Sequence, residues 1–286
     1  MNYIDLHVHS SASDGSLTPE EVVTLAKEAG LRYFALTDHD TVDGVERALQ
    51  YAGKYENIDV LPGIELSCYY KNREIHIVGL FVNHRDRVFL EELAKLKQAR
   101  ENRNEKMVQN FVDAGIPITM EELKHGNPNS VITRAHFARV LVEKGFCKNK
   151  TEVFDKYLGI GCPFYLAKPK VTPEHVLHLI NQAGGTAILA HPYSYKFSRS
   201  EIETLLDTLI PLGLSGLECY YSTYDDGQMQ ELRSIALAKK LLVSGGSDFH
   251  GVIKPDISIG TGRGNLRIPE KLLTAIREYR AQNMIQ

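Results

Sequence analysis

Hydrophobic and polar positions alternate along the first part of the chain in a way that predicts strands followed by helices. Residues 4–8 (Ile-Asp-Leu-His-Val) alternate apolar and polar side chains, which is typical of a strand. A helix start follows at Thr18, where a potential capping residue precedes a proline and two glutamates, and Gly30 predicts the helix end. The same unit then returns, with a buried-strand pattern at 33–37 and a helical pattern at 45–51.

The rest of the chain continues this alternation, with one interruption. Further strands are predicted at residues 59–65, 74–80, 186–190, 216–219 and 241–244. Strands that alternate with helices indicate parallel strands in a barrel or a layered α/β fold. Between 100 and 166 the pattern changes to short helices separated by glycine, proline and asparagine. The sequence therefore predicts a barrel in two parts, 1–99 and 167–286, with a small helical insertion at 100–166.

Composition and charge are those of an ordinary soluble protein. Apolar residues make up 43% and charged residues 24% of the 286 residues. Basic and acidic residues nearly balance, at 33 and 36, so we expect no broad nucleic-acid-binding surface and no stable complex with DNA. No apolar run approaches the roughly 20 residues that span a bilayer, and the N-terminus lacks a signal-peptide pattern.

The four cysteines are scattered and form no C-x-x-C pair. This spacing argues against a disulfide framework and against a cysteine zinc site. We therefore expect a cytoplasmic protein that makes no contact with a membrane.

Histidines and carboxylates recur at or just beyond the C-terminal ends of the predicted strands. Five groups share this placement, and His76 lies within a further strand. The five groups are His7 and His9 with Asp14; Asp38, His39 and Asp40; Glu65; His191; and Asp248 with His250. Because strand ends in such a barrel converge on one mouth, we expect these side chains to meet in a single cavity.

The residue types in this cavity predict a metal centre. Residues two apart in a strand point to the same side, so His7 and His9 can reach one ion, and Asp248 and His250 can do the same. Imidazole and carboxylate ligands without thiolates suit Mn, Zn or Fe. Apart from Asp38 and Asp40, nine ligand candidates remain, too many for one ion. We therefore predict two or three divalent ions with a bridging carboxylate.

The order of these motifs resembles that of the polymerase-and-histidinol-phosphatase (PHP) family. The resemblance runs through the whole chain apart from the insertion. It rests on residues 5–10 with 13–15, 36–40, 63–65, His76, 190–192 and 246–250. The resemblance implies a distorted seven-stranded (β/α) barrel with a trinuclear metal site.

The family resemblance also implies how the ligands are shared. It assigns one ion to His7, His9, Glu65 and Asp248, a second to Glu65, His76 and His191, and a third to Asp14, His39 and His250. Some members of the family have histidine where this chain has Asp14, and an aspartate also binds hard ions well. Manganese is the expected metal, with zinc or iron as the alternatives.

Residues 132–139 of the insertion (Ile-Thr-Arg-Ala-His-Phe-Ala-Arg) resemble those of small bacterial PHP phosphatases that hydrolyse nucleoside 3′,5′-bisphosphates. Members of that group also act on short 5′-phosphorylated RNA. The resemblance implies that Arg134 and His136 bind a second substrate phosphate, since arginine makes bidentate contacts with phosphate. For Arg139 we keep the interpretation of a solvated helix face. Lys168 and Lys170 are further phosphate-binding candidates.

The expected reaction is hydrolysis of a phosphomonoester by a metal-bridging hydroxide held by Glu65, Asp248 and His191. The ions would polarise the phosphoryl group and lower the pKa of the bridging water to about 7. Expected substrates are nucleoside bisphosphates, with short RNA as the other candidate. We expect Asp38 and Asp40 to orient ligands rather than bind metal.

Three further residues lie at or just beyond the end of the predicted strand 216–219. Glu218 is either a rim residue of the cavity or an ordinary solvated side chain, and we expect ordinary solvation. Tyr220 and Tyr221 are candidates either for stacking on a base or for packing.

Three alternatives compete with this interpretation. A histidinol-phosphate phosphatase would use the same chemistry, but the insertion favours a nucleotide-sized substrate. A non-catalytic PHP scaffold would have lost ligands, whereas all nine positions hold competent ones. An amidohydrolase-type enzyme acting on C–N bonds would usually have a metal-bridging lysine, which the sequence does not offer.

Overall fold

The computed structural model describes residues 3–124, 130–166 and 171–283, so Lys168 and Lys170 lie outside the described residues. Within these ranges, seven strands form one sheet, ordered as in the chain, that curls into a nearly closed barrel. The strands are β1 (Ile4–Val8), β2 (Tyr33–Leu36), β3 (Asp59–Tyr70), β4 (Arg73–Leu80), β5 (Thr186–Leu189), β6 (Gly216–Tyr221) and β7 (Leu242–Gly246). The predicted seven-stranded α/β barrel is confirmed.

The expectation of parallel strands is wrong for β4, which runs antiparallel to both β3 and β5. The other neighbouring pairs are parallel. The cause is the turn between β3 and β4, where Lys71 and Asn72 have φ of 46° and 63°. A two-residue turn with positive φ at both positions joins strands directly into a hairpin, so no crossover helix separates them. The hairpin also extends β3 five residues past Glu65, to Tyr70.

The segment after β7 pairs with β1 and brings the two ends of the sheet together. The His9 N–H donates to the Phe249 carbonyl oxygen at 3.0 Å, and the Asp248 N–H donates to that of His7 at 2.9 Å. The fully buried Asp5 carboxylate accepts hydrogen bonds from the N–H groups of Ser247 and Gly260 at 2.9 and 2.7 Å. Closure of the barrel therefore juxtaposes the first and last ligand motifs.

Ten α-helices lie among the described residues. They are α1 (Pro19–Glu28), α2 (Val45–Ala52), α3 (Arg87–Asp113), α4 (Met120–Lys124), α5 (Arg134–Glu143), α6 (Lys150–Val153), α7 (Pro173–Gln182), α8 (Arg199–Leu209), α9 (Asp226–Ala238) and α10 (Lys271–Asn283). Helix α1 begins as the sequence predicts, because Thr18 and Glu21 form a capping box. None of these helices is both long and apolar enough to cross a membrane.

The insertion has an apolar cluster of its own. Two clusters of buried side chains fill the barrel and its surrounding helices, and a third packs around Phe111, Phe137 and Leu141. The 27-residue helix α3 contributes Phe89 to a barrel cluster and Met107 to the third cluster. Residue 100 therefore lies inside one continuous helix that runs from the barrel into the insertion.

Candidate metal centre

Glu65 lies at the centre of the barrel mouth and is only 1% exposed. Its two carboxylate oxygens face the ring nitrogens of five histidines. Oε1 lies 2.9 Å from Nδ1 of His76 and 2.9 Å from Nε2 of His191. Oε2 lies 3.0 Å from Nδ1 of His39, 3.3 Å from Nε2 of His9 and 3.4 Å from Nε2 of His7. This is the arrangement expected of a bridging carboxylate.

Backbone pairing explains how His39 comes to lie beside Glu65. The Glu65 N–H donates to the carbonyl oxygen of Asp38 at 3.1 Å, and the Asp40 N–H donates to that of Glu65 at 2.9 Å. These bonds continue the β2–β3 pairing past the end of β2 and bring the two side chains together.

The remaining ligand candidates lie around His9. Asp248 Oδ1 is 3.2 Å from His9 Nε2, and Asp14 Oδ1 is 3.1 Å from His250 Nε2. His39 Nε2 lies 3.8 Å from the other oxygen of Asp14. All nine residues predicted as ligands are therefore brought to one mouth of the barrel.

These donors form four overlapping groups, in each of which the candidate ligand atoms lie within 4.8 Å of one another. The groups are His7, His9 and Asp248; His7, Glu65 and His191; His39, Glu65 and His76; and His9, Asp14, His39 and His250. They overlap the three ligand sets implied by the family resemblance. The assignment of each side chain to a particular ion stays a prediction.

Unpaired buried atoms support a metal ion at this centre. Nε2 of His7, both ring nitrogens of His9, Nδ1 of His39 and Oε2 of Glu65 are buried without a hydrogen-bond partner. Each such atom costs about 1–3 kcal/mol unless something binds it. Two ligand atoms that are each about 2.1 Å from a shared ion lie about 3.0–3.4 Å apart. The spacing around Oε2 of Glu65 matches this value, so the donor set fits divalent ions.

The electrostatic environment keeps the central carboxylates ionised. Burial raises the pKa of Glu65, but His39, His76 and His7 outweigh it and bring that pKa well below 4.5. Burial also raises the pKa of Asp14, but the nearby His250 and His39 outweigh it and bring that pKa well below 3.8. Burial and the neighbouring His250 lower the pKa of His9 to about 3. Ionised carboxylates and a neutral imidazole are the forms that bind metal.

Glu218 contacts the ligand cluster in a way that the sequence interpretation missed. The expectation of ordinary solvation is wrong, since Glu218 is 2% exposed. Its Oε1 lies 2.9 Å from His7 Nδ1, and its Oε2 accepts a hydrogen bond from the His191 N–H at 2.7 Å. A carboxylate in this position holds Nδ1 protonated and leaves Nε2 of His7 free to bind metal. Its place in β6, at the barrel mouth like the ligands, was the available signal.

Two further contacts position Asp248. The hydroxyl of the buried Tyr221 donates to Asp248 Oδ2 at 2.6 Å, so this tyrosine is packed rather than available for base stacking. Lys254 Nζ contacts the same oxygen. Asp248 and His191 also have positive φ, at 55° and 26°. Such strained backbone in residues other than glycine concentrates at functional sites.

Asp38 and Asp40 act on the surrounding loops. Asp38 accepts hydrogen bonds from the hydroxyls of Ser10 and Ser13 at 2.7 and 2.6 Å, and so holds the loop that carries Asp14. Asp40 pairs with Arg100 of α3.

Arginines cluster beside the metal centre. Arg100 and Arg134 line a cavity of about 150 Å³ together with Asp14, His39 and His76. Arg100 and Arg103, one turn apart on α3, are 4% and 5% exposed. Nε and Nη2 of Arg103 have no hydrogen-bond partner, and Arg134 Nη2 donates to Glu74 Oε2 at 2.9 Å.

The arginines repel one another. Burial and the charge of Arg103 lower the pKa of Arg100 to about 9. Burial also lowers the pKa of Arg103. The sequence interpretation missed both residues, because their helix reads as charged and exposed.

The start of α5 joins the insertion to the metal centre. Thr133 caps the helix, and its hydroxyl donates to Asp14 Oδ2 at 2.9 Å. Nearby, the Ser130 hydroxyl donates to the Ser13 carbonyl oxygen at 2.5 Å, and the Val131 N–H donates to that of Ala12 at 3.1 Å. Three hydrogen bonds thus tie residues 130–133 to the loop that carries Asp14.

Arg134 and His136 face different cavities. Arg134 lines the cavity of the arginines, whereas His136 lines a second one, and Asp14 borders both. His136 Nδ1 accepts a hydrogen bond from the Thr133 N–H at 3.0 Å, and burial lowers the pKa of His136 to about 4. Arg139 is not on a solvated face as expected, because it donates to the carbonyl oxygens of Glu122 and Leu123 at 2.8 and 3.3 Å.

The chain belongs to the PHP domain family, whose model matches residues 5–185. It is 34% identical over 247 residues to the 5′-3′ exoribonuclease Rnm of Escherichia coli (strain K12), covering 86% of this chain and 84% of that protein. It is 35% identical over 251 residues to the 3′,5′-nucleoside bisphosphate phosphatase of Chromobacterium violaceum, covering 87% and 88%.

Solved structures agree with this assignment. A Chromobacterium violaceum structure, described as an amidohydrolase with bound sulfate and no metal, has a TM-score of 0.86 at 32% identity and covers 97% of this chain and 96% of its own. A metal-dependent phosphoesterase from Bifidobacterium adolescentis has a TM-score of 0.84 at 26% identity, with coverages of 96% and 95%. The protein is a hydrolase of the phosphoesterase class, and its donor cluster indicates divalent metal ions.

Proposed function

We propose that the protein hydrolyses the 3′-phosphate of nucleoside 3′,5′-bisphosphates and the corresponding bond of short 5′-phosphorylated RNA. The observation that carries this proposal is the arginine-lined cavity directly beside the nine clustered ligands. A substrate with two phosphates can place one at the metal centre and the other among the arginines. The names of the Escherichia coli and Chromobacterium violaceum relatives support both substrate classes.

The ligand sets implied by the family fit the arrangement of the donors. His7, His9, Glu65 and Asp248 would hold one ion, Glu65, His76 and His191 a second, and Asp14, His39 and His250 a third. Manganese is the proposed metal, with zinc or iron as alternatives. The bound ions would polarise the phosphoryl group and supply a water of lowered pKa beside Glu65, Asp248 and His191.

The arginines would bind the 5′-phosphate. Arg134 offers a planar guanidinium suited to bidentate contact with phosphate, and Arg100 and Arg103 add positive charge behind it. An anion in this cavity would relieve the mutual repulsion of the three side chains. His136 would act through its Nε2–H as a neutral donor, since its Nδ1 accepts from Thr133.

The insertion, residues 100–166, would serve as a substrate-binding cap. It supplies the arginines, and Thr133 connects it to Asp14.

The structure contains four free cysteines, three of them buried, which supports the proposal of a reducing, cytoplasmic setting.

The test is turnover by manganese-loaded protein. Release of inorganic phosphate is measured with adenosine 3′,5′-bisphosphate, 3′-AMP, 5′-AMP and histidinol phosphate, and release of nucleoside 5′-monophosphates is measured with a short 5′-phosphorylated RNA. We expect the bisphosphate to be a good substrate and His9→Ala to abolish turnover. Good turnover of histidinol phosphate alone would make the protein a histidinol-phosphate phosphatase. Bound metal without turnover of any substrate would favour the scaffold function.

A second variant tests the role of the arginines. Arg134→Met should lower the preference for the bisphosphate over 3′-AMP, measured as the ratio of kcat/KM values, by about tenfold or more, because a charge-assisted contact with the 5′-phosphate is lost. Arg87→Met, which removes an exposed arginine that does not line this cavity, is the matched control. An unchanged ratio in Arg134→Met would refute binding of the second phosphate by Arg134.

A further inference from the structure

A second polar cavity borders the metal centre at Asp14. Its volume is about 490 Å³, within the range of sites that bind small ligands. Besides Asp14, its lining includes Ser11, Ser16, Ser130 and His136. The lining also includes the charged side chains of Lys124, Arg139 and Glu143. Hydroxyls, charges of both signs and a histidine whose pKa burial lowers to about 4 suit contact with a sugar, a base and a phosphodiester.

Lys150 lies where this cavity meets the metal centre. Ile253 lines both this cavity and a cavity of about 350 Å³ over the metal ligands. Lys150 Nζ donates to the Ile253 carbonyl oxygen, and both Lys150 and Lys254 line the cavity over the ligands. Arg100 and Arg134 line a different cavity, so positive side chains flank the metal centre in two places.

The two lysines bring positive charge to the cavity over the metal ligands, where Lys254 also contacts Oδ2 of Asp248. Burial and the nearby charge of Lys254 both lower the pKa of Lys150. Two ammonium groups that repel each other in a partly buried position are stabilised when a phosphate binds between them.

We propose that Lys150, Lys254 and the cavity beyond them form a downstream subsite that binds the nucleotide following the scissile phosphate of an oligonucleotide. This inference rests on the proposed function. A nucleoside bisphosphate ends at the reacting phosphate and leaves this subsite empty. An oligonucleotide continues past that phosphate and needs a place for the next sugar, base and phosphodiester.

The same bond breaks in both substrates. Water adds its oxygen to phosphorus, the bond from phosphorus to the 3′-oxygen breaks, and that oxygen receives a proton. With a bisphosphate the second product is inorganic phosphate. With an oligonucleotide it is a chain shortened by one nucleotide that carries a new 5′-phosphate. The downstream subsite would hold that shortened chain.

The test is the selectivity of Lys150→Met between substrates. We expect its kcat/KM for 5′-phosphorylated tri-adenylate to fall about tenfold or more beyond any fall for adenosine 3′,5′-bisphosphate, since one charge-assisted contact is lost only with the longer substrate. Lys148→Met removes an exposed lysine two residues away and is the matched control. It should leave the ratio of the two kcat/KM values unchanged.

A second variant and a binding measurement do not depend on turnover. Val252 is 76% exposed at the rim of the cavity, so Val252→Glu should fold normally and repel the downstream phosphodiester. In EDTA, a 3′-labelled, 5′-phosphorylated tri-adenylate should bind more weakly to Val252→Glu and Lys150→Met than to the wild type and Lys148→Met.

The outcomes separate the two proposals. If the wild type cleaves tri-adenylate but not the bisphosphate, the proposed bisphosphatase function fails while the downstream subsite stands. If the wild type hydrolyses the bisphosphate and the kcat/KM of Lys150→Met falls equally for both substrates, or falls for neither, the downstream subsite is refuted. Unchanged binding of tri-adenylate by both variants would refute it as well.

Discussion

At the scale of single residues, Glu65 connects the parts of the candidate centre because its two oxygens face five imidazoles. Neutral imidazoles cannot all donate to one carboxylate in this geometry, as the unpaired nitrogens of His7, His9 and His39 show. The orientation of each ring therefore depends on what holds its other nitrogen. For His7 that partner is Glu218.

Replacing Glu218 tests this orienting role. Glu218→Gln keeps the size of the side chain but removes its charge. Nδ1 of His7 then loses its strong hydrogen-bond acceptor, and the tautomer of the ring is no longer fixed. We expect manganese affinity to fall roughly 10- to 100-fold, measured by calorimetric titration of the metal-free protein. Glu231→Gln, which alters a glutamate paired with Arg199 on the surface, should leave the affinity unchanged. Equal affinities in the two variants would show that Glu218 does not orient His7.

The lack of a Cβ at Gly246 allows β7 to approach His7 closely. A Cβ added to Gly246 would lie 2.6 Å from the backbone nitrogen of His7 and would also collide with the His7 side chain. Gly246→Ala should therefore displace His7 and reduce the amount of metal retained after purification, measured by elemental analysis. Gly53→Ala, whose added Cβ would have an ordinary 3.5 Å contact, is the control. Full metal content in folded Gly246→Ala would contradict this account.

At the scale of elements, β1 and β7 depend on a buried carboxylate between them. Asp5 accepts hydrogen bonds from the backbone of Ser247 and Gly260, which belong to segments far from it in sequence. Asp5→Ala would leave these donors buried and unpaired, so we expect a loss of about 2–4 kcal/mol in the free energy of unfolding. Urea denaturation in EDTA measures this loss without a contribution from metal.

The control for this prediction is Asp59→Ala, which removes an exposed aspartate at the start of β3. It should change the free energy of unfolding by less than about 0.5 kcal/mol. If the two variants are equally stable, Asp5 does not hold the ends of the sheet together.

The elements also show what the sequence can predict. Strand positions and ligand convergence follow from local alternation and from polar residues at strand ends, such as His7 and Asp248. The direction of β4 did not follow, since Lys71 and Asn72 are not the glycine-containing pair that usually marks a hairpin. Arg100 and Arg103 were missed because their burial depends on packing against the barrel, which the charged pattern of α3 conceals.

At the scale of the whole molecule, the metal-free protein should respond to pH in a definite direction. Burial works against the charge of His76, but Glu65 raises the pKa of His76 to about 9. A group with a raised pKa stabilises the fold below its unfolded value near 6.5, and this stability is lost as the pH rises through 9. We expect the protein in EDTA to lose up to about 3 kcal/mol between pH 6.5 and 9.

Metal binding should reverse this trend. Metal ligands must be deprotonated, so manganese competes with protons for His76 and binds more tightly as the pH rises. The thermal midpoints of the EDTA-treated and manganese-loaded forms should therefore move apart between pH 6.5 and 9. Parallel curves would show that His76 does not bind the ion.

The hydrogen bonds between residues 130–133 and the Asp14 loop would couple binding of the third candidate ion to the position of the proposed cap. If Thr133 holds Asp14 in position for an ion, that ion in turn holds the start of α5, and with it Arg134, in position for nucleotide. Such coupling is reciprocal, so nucleotide must tighten manganese by the same factor by which manganese tightens nucleotide. Titrations of each in the presence of the other, with 5′-AMP as the nucleotide, should give equal factors, and Thr133→Val should bring both close to one. The concentration of free nucleotide in the cell would then influence how many ions the enzyme carries.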